Sequence, residues 1–130
     1  MIVVDASVLA TALVDDGDDG RRARDRLSDE HLSAPELIDL EVASVLRRLC
    51  AGARLDPVRA TQALTDLDAL RLARVPHRPL LKRCWELREN ITVYDAAYVA
   101  LAEILDVTLL TADQRLTNSP GATCTFVLFP

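Results

Sequence analysis

Four acidic residues of this 130-residue chain stand where a carboxylate can do chemistry. Asp5 directly follows the β-branched run Ile2-Val3-Val4, and Asp113 lies three residues beyond the apolar pair Leu109-Leu110. Both runs read as buried parallel strands. In open parallel sheets, ligands gather beyond the carboxyl ends of the strands, where strand order reverses. Each Asp also suits the commoner duty of a helix cap or turn residue. Glu41 shares one side of a helix with Leu37 and Val45, at about 100° per residue, so it flanks an apolar stripe. Asp39 points nearly opposite, toward solvent. A carboxylate beside a buried face needs a metal or an ion-pair partner, because burying an uncompensated charge is costly. Arg48, one further turn along the same side, is the candidate partner. Asp95 falls in the first turn of a helix opened by Thr92, where Thr92-x-x-Asp95 also has capping-box spacing. That helix is built from Ala96, Ala97, Ala100 and Ala102, small enough to pack close to a sheet.

Four carboxylates from four segments thus converge on one edge of a sheet. Clustered carboxylates repel unless protonated or bound to cations, and oxygen-only ligands select hard ions such as Mg²⁺ or Mn²⁺. Such ions polarise a phosphoryl oxygen and lower the pKa of bound water. The chemistry suggested is metal-assisted phosphodiester hydrolysis. Ser7 and Thr111 are close in sequence to two of the four and can hydrogen-bond a ligand carboxylate or a phosphate, or simply cap helices.

The elements that must position these residues alternate along the chain. Ile2–Val4 is the first strand, and Ser7 is read as the cap of a helix to Val14. Asp15–Gly20 forms a flexible acidic loop, and Arg21–Leu27 a short charged helix. A brief strand covers His31–Ala34. Ser33 and Glu36 have capping-box spacing, with Pro35 in the first turn of a helix running to Ala51. Asp56-Pro57 opens another helix. Strands are expected at Leu72–Val75, Val107–Leu110 and Thr125–Phe129, with helices at Pro79–Glu89, from Thr92 to Leu105, and after Asp113. Alternating strands and helices mean an α/β domain with a mostly parallel sheet covered on both faces. The length fits a single domain over residues 1–130.

Composition sets the outer bounds. Half the residues are hydrophobic, enough for a real core and too many for a disordered tail. No apolar run can span a bilayer, and Met1-Ile2-Val3-Val4-Asp5 has no basic region preceding an apolar one, so no membrane contact and a cytoplasmic location are expected. Cys50, Cys84 and Cys124 are expected as buried free thiols. His31 and His77 have no zinc-ligand spacing with them. An EF-hand at Asp15–Gly20 fails, because the twelfth position is Arg26 or Leu27 rather than Glu. The net charge of −5 disfavours an indiscriminate nucleic-acid binder. Without the four site carboxylates, however, it is −1, and without Asp15, Asp16, Asp18 and Asp19 as well it is +3. Fourteen of the 15 basic residues are arginine. Arg21, Arg22, Arg24 and Arg26 are read as a solvated face paired with Asp25, Asp29 and Glu30. Among the aromatics, Trp85 is read as partly buried core, and Tyr94, beside Asp95, as the aromatic of the site, where Tyr94 and Tyr98 can stack on bases.

Three segments resemble those of PIN-domain ribonucleases of the VapC toxin type: Met1-Ile2-Val3-Val4-Asp5-Ala6-Ser7, Thr92-Val93-Tyr94-Asp95-Ala96-Ala97-Tyr98-Val99-Ala100-Leu101-Ala102-Glu103, and Leu109-Leu110-Thr111-Ala112-Asp113-Gln114-Arg115-Leu116. The resemblance implies a three-layer α/β/α fold with about five parallel strands. It implies that Asp5, Glu41, Asp95 and Asp113 bind Mg²⁺ or Mn²⁺ and cut structured RNA, often transfer or ribosomal RNA. It further implies a cognate VapB-type antitoxin in the active-site groove and a homodimer. One departure bears on a second metal site: Gln114 and Arg115 follow Asp113, where many relatives carry a further acid or Asn. The competing reading is a catalytically silent PIN-like module that binds RNA or a protein.

Overall fold

The computed structural model describes all of residues 1–130. Five strands form one sheet: β1 (Ile2–Val4), β2 (Leu32–Pro35), β3 (Leu72–Val75), β4 (Thr108–Thr111) and β5 (Phe126–Leu128), in the order β3-β2-β1-β4-β5 and all parallel. Ile2, Val3, Val4, Leu109 and Leu110 are buried. Their near-continuous apolar runs reflect helices on both faces, which leave no solvent side for a polar residue to occupy. The edge strand β5 is more exposed, at Val127 and Leu128.

Seven helices cover the sheet: α1 (Ala6–Val14), α2 (Asp18–Leu27), α3 (Ile38–Ala51), α4 (Pro57–Ala69), α5 (Leu81–Glu86), α6 (Val93–Leu105) and α7 (Gln114–Thr117). The first four pack on one another, whereas α5 and α6 pair together, with α6 lying on β1 and β2. The alanines of α6 explain the close approach: Ala96, Ala97, Ala100 and Ala102 are all buried. Strand order runs outward from β1 in one direction through β2 and β3, then restarts beside β1 with β4. The switch point therefore lies between the carboxyl ends of β1 and β4, and Asp5 and Asp113 follow those two strands.

Several local expectations change. Asp5, not Ser7, caps α1, its Oδ1 accepting from the Val8 amide at 3.1 Å. The acidic loop is shorter than expected, because Asp18, Asp19 and Gly20 form the first turn of α2. Two acids there face the positive end of the helix dipole. Gly20 is required, since a Cβ would lie 1.7 Å from the Asp15 carbonyl oxygen. The Ser33/Glu36 capping box is absent. Pro35 pairs with Val75 at the end of β2, Glu36 N–H donates to the Val75 carbonyl, and α3 begins only at Ile38. Parallel pairing to β3 outweighs the local capping signal, and the Leu37 amide finds its acceptor in His77 Nε2 at 3.0 Å. The Pro79–Glu89 helix divides into a 3₁₀ turn at Arg78–Leu80 and the six-residue α5, after which Arg88 and Asn90 amides make tight turns back to Trp85 and Leu87. Trp85 is 61% exposed, and Leu80, Cys84 and Leu87 take the core positions instead. Asp39 is not free in solvent: Arg74 holds it through two bonds of 2.7 and 2.9 Å. On α2, Arg21 pairs with Asp18, Arg22 with Asp19 and Arg26 with Glu30, while Arg24 donates to the carbonyls of Ala12 and Asp15. All three cysteines are free; Cys84 is buried, and Cys50 and Cys124 are half-buried.

Candidate active site

Asp5 is placed by two elements at once. It ends β1, with its amide bonded to the Leu110 carbonyl of β4, and it caps α1. Its Oδ1 accepts from Ser7 Oγ at 2.6 Å and from the Val8 amide, and its Oδ2 accepts from Thr111 Oγ1. Three of about four lone-pair sites are thereby used. Thr111, fully buried at the end of β4, also accepts from the Asp113 amide at 3.0 Å. One hydroxyl thus links the two strand-end acids. Asp113 in turn caps α7, accepting from the Arg115 amide at 2.9 Å.

The other two carboxylates come from helices. Asp95 stands in the first turn of α6, its amide bonded to Thr92 Oγ1 at 3.1 Å. Glu41 reaches in from α3 and is half-buried. Arg48 does not pair with it; the Tyr98 hydroxyl donates to Glu41 Oε1 at 2.7 Å. Tyr98 lies three residues after Asp95, and that i, i+3 spacing puts both on one face of α6. The spacing was the available signal for a donor to Glu41. Tyr94, by contrast, is 63% exposed.

All four carboxylates line one cavity of about 250 Å³, together with Ser7, Arg48 and Tyr98. Burial pushes the Asp5 carboxyl above its ordinary range, against the pull of its hydrogen bonds. Glu41 is raised by burial and then by the charges of Asp95 and Asp5, and Asp95 by burial and then by Asp113 and Asp5. Burial and the bond to Glu41 lift the Tyr98 phenol far above its usual value, so it stays a donor. No arginine forms a close ion pair with Asp5, Glu41 or Asp95; the single contact is Arg115 with Asp113 at 3.6 Å. The carboxylates repel one another and stand apart on separate elements, so no three acids form a tight ligand cage. The four acids offer oxygen donors only, the donor type that suits a hard, hydrated cation, which keeps several waters and needs only one or two direct carboxylates.

A parallel α/β/α sheet with acids from four segments at its switch point is the layout of a PIN domain. The PIN-domain family model matches residues 2–121, and the chain belongs to that family. It is 44% identical over 130 residues to ribonuclease VapC9 of Mycobacterium tuberculosis, covering 100% of this chain and 99% of the relative. It is 43% identical to ribonuclease VapC1 of the same organism over 123 residues, with 94% and 92% covered. Among solved structures, the fold is similar to VapC20 of M. tuberculosis, a toxin that cleaves the sarcin–ricin loop (TM-score 0.73, 15% identity, 95% and 97% covered). It is also similar to FitAcB of Neisseria gonorrhoeae (TM-score 0.72, 15% identity, 97% and 96% covered).

Proposed function

We propose that this chain is a metal-dependent endoribonuclease toxin, inhibiting translation and growth until a cognate VapB-type antitoxin neutralises it. One observation carries the reading: Asp5, Glu41, Asp95 and Asp113, from four separate segments, line one cavity, and only Asp113 of the four has an arginine in ion-pair range. The names of relatives at 43–44% identity agree with it. Asp5, Asp95 and Asp113 would hold Mg²⁺ or Mn²⁺, directly or through water, and Glu41 would act as a further ligand or orient the attacking water. When bound, the ion supplies charge neutralisation at the scissile phosphate and a more acidic water. The chain's own residues do the rest. Ser7 and Thr111 hold the Asp5 carboxylate in one orientation, and Tyr98 holds Glu41. Structured RNA is the proposed substrate, transfer or ribosomal RNA foremost, and a homodimer the proposed assembly.

The test is cleavage of total transfer RNA and total ribosomal RNA with Mg²⁺ and with chelator. The parent is expected to leave 5′-phosphate and 3′-hydroxyl ends, and only with the metal. Asp5→Asn and Asp95→Asn are each expected to lower the rate by at least about a hundredfold, in line with the loss of a group that stabilises transition-state charge. Either variant cutting as fast as the parent overturns the assignment. RNA binding without cleavage by the parent would establish the silent module instead.

A further inference from the structure

The acidic cavity opens onto a second depression of about 470 Å³, which shares Asp95 and Asp113 with it but has a different character. Its walls carry Arg88 and Arg115, with the polar residues Asn90 and Ser119 between them; Glu89 is its one further acid. Neither arginine is neutralised by a close ion pair. Arg115 is 95% exposed at its side chain and comes no nearer than 3.6 Å to Asp113. Arg88 has no carboxylate partner at all. Its guanidinium lies 4.5 Å from the centre of the Trp85 ring, and its Nη1 donates to the Trp85 carbonyl at 2.8 Å. Stacking on an indole restricts a long side chain while leaving most of its five donors free. The turn that bears Arg88 is itself tied down, since Asn90 Nδ2 donates to the Pro120 carbonyl at 3.0 Å.

A polyanion approaching four carboxylates meets repulsion on every side, and a metal ion at the centre relieves it only locally. Two guanidiniums beside that centre, Arg88 without a carboxylate partner and Arg115 exposed and only loosely paired with Asp113, offset the repulsion for the neighbouring phosphates. Arginine presents a planar fork suited to phosphate oxygens, and it holds its charge at every working pH. The exposed Trp85 ring is free to carry the Arg88 guanidinium on its face.

We infer that Arg88 and Arg115 form an RNA-backbone subsite that holds phosphates flanking the scissile one, with Trp85 as the positioning residue that orients Arg88. The inference rests on the nuclease reading above. Its test uses fluorescein-labelled total transfer RNA as the probe, with binding measured across a salt series in an Asp5→Asn background and cleavage measured with Asp5 intact. Arg88→Ala and Arg115→Ala are each expected to weaken binding about two- to fivefold and to reduce the slope of log K against log salt by about 0.7, the share of one single-strand phosphate contact. The double variant should combine the two losses. Trp85→Ala should weaken binding without changing the slope, because the charge remains, and Trp85→Phe should restore it. The control is Arg54→Ala, an exposed arginine after α3, expected to leave both quantities unchanged. Unchanged affinity and slope in the Arg88/Arg115 double variant, or an equal loss in Arg54→Ala, overturns the subsite while the nuclease reading stands. An acidic segment of a protein partner as the true ligand would give that unchanged result. Failure of the parent to cleave either RNA pool overturns the nuclease reading, and the subsite with it.

Discussion

Tyr98 and Glu41 form the contact in the site that links helices on different layers. The phenol is 2% exposed and gives its one proton to a half-buried carboxylate. This bond favours the ionised form of Glu41, whereas burial and the charges of Asp95 and Asp5 favour the protonated form. Tyr98→Phe removes the one contribution that pulls the Glu41 carboxyl down. The acidic limb of the pH–rate profile is therefore expected to move to higher pH, with a loss of about 1.5–3 kcal/mol in stability for a hydrogen bond to a charged group. A full pH profile together with a denaturant titration checks both. An unmoved acidic limb would mean that Glu41 does not titrate in the reaction. The sequence offered Tyr98, with Tyr94, only as an aromatic to stack on bases and favoured the exposed Tyr94 as the aromatic of the site; the structure makes Tyr98 the donor to Glu41 instead.

At the scale of elements, the placement of Asp95 depends on how α6 is fastened. Thr92 caps its start, and its far end is held by Glu103, whose carboxylate accepts from Arg83 of α5 at 2.7 and 3.2 Å and from the Thr123 amide at 2.8 Å. Arg83 also donates to the Gly121 carbonyl at 2.6 Å. One ion pair thus joins α5, α6 and the connection between β4 and β5. Burial alone would raise the Glu103 carboxyl, but the bonds from Arg83 and Thr123 outweigh it and hold it below the ordinary range. A carboxyl with a lowered folded value contributes stability above its unfolded pKa, and that contribution is lost as the pH falls through the folded value. Glu103→Gln is expected to cost about 1–2 kcal/mol near neutral pH, between the values for exposed and buried pairs. The gap between parent and variant should shrink in acid. Thermal melts at neutral and acidic pH measure this, and a gap that persists unchanged in acid would exclude the ion pair as its source.

Across the whole molecule, the raised carboxyls act in the opposite sense to Glu103. Asp5, Glu41 and Asp95 all have folded values above their unfolded ones. Their contribution is complete below the unfolded values, about pH 4, and is lost as the pH rises through the folded values. Without a divalent cation, the chain should gain thermal stability as the pH is lowered from neutral through the raised folded values of these three acids, before the lowered acids Glu30 and Glu103 begin to protonate. Mg²⁺ or Mn²⁺ at neutral pH should raise the melting temperature by mass action on the folded state, and the increase should diminish in acid as protons compete for the same oxygens. Asp95→Asn should raise the melting temperature of the metal-free chain and abolish most of the metal-induced shift. Scanning fluorimetry across pH, with and without the cation, tests all three statements. A metal shift that Asp95→Asn retains in full would place the ion elsewhere.

The apolar runs at Ile2–Val4 and Leu109–Leu110, the Asp56-Pro57 start and the alanine face of the Thr92 helix carry their meaning locally. Burial of short β-branched runs, helix capping and close packing of small residues depend on neighbours a few positions away. The alternation of those elements was therefore legible, and with it the parallel sheet and the strand-end positions of Asp5 and Asp113. What followed from contacts distant in sequence was not. The partner of Glu41 is 57 residues away, that of Asp39 is 35, and the hydroxyl joining Asp5 to Asp113 comes from Thr111, 106 residues beyond Asp5. Pro35 joined a strand because β3 offered it a partner, and Trp85 faced solvent because Leu80, Cys84 and Leu87 had already filled the space beneath. Local spacing determined which residues could carry charge to one edge of the sheet. Only tertiary packing decided which of those charges were balanced and which were left open, because an ion pair or a buried hydrogen bond depends on distance in space rather than position in the chain.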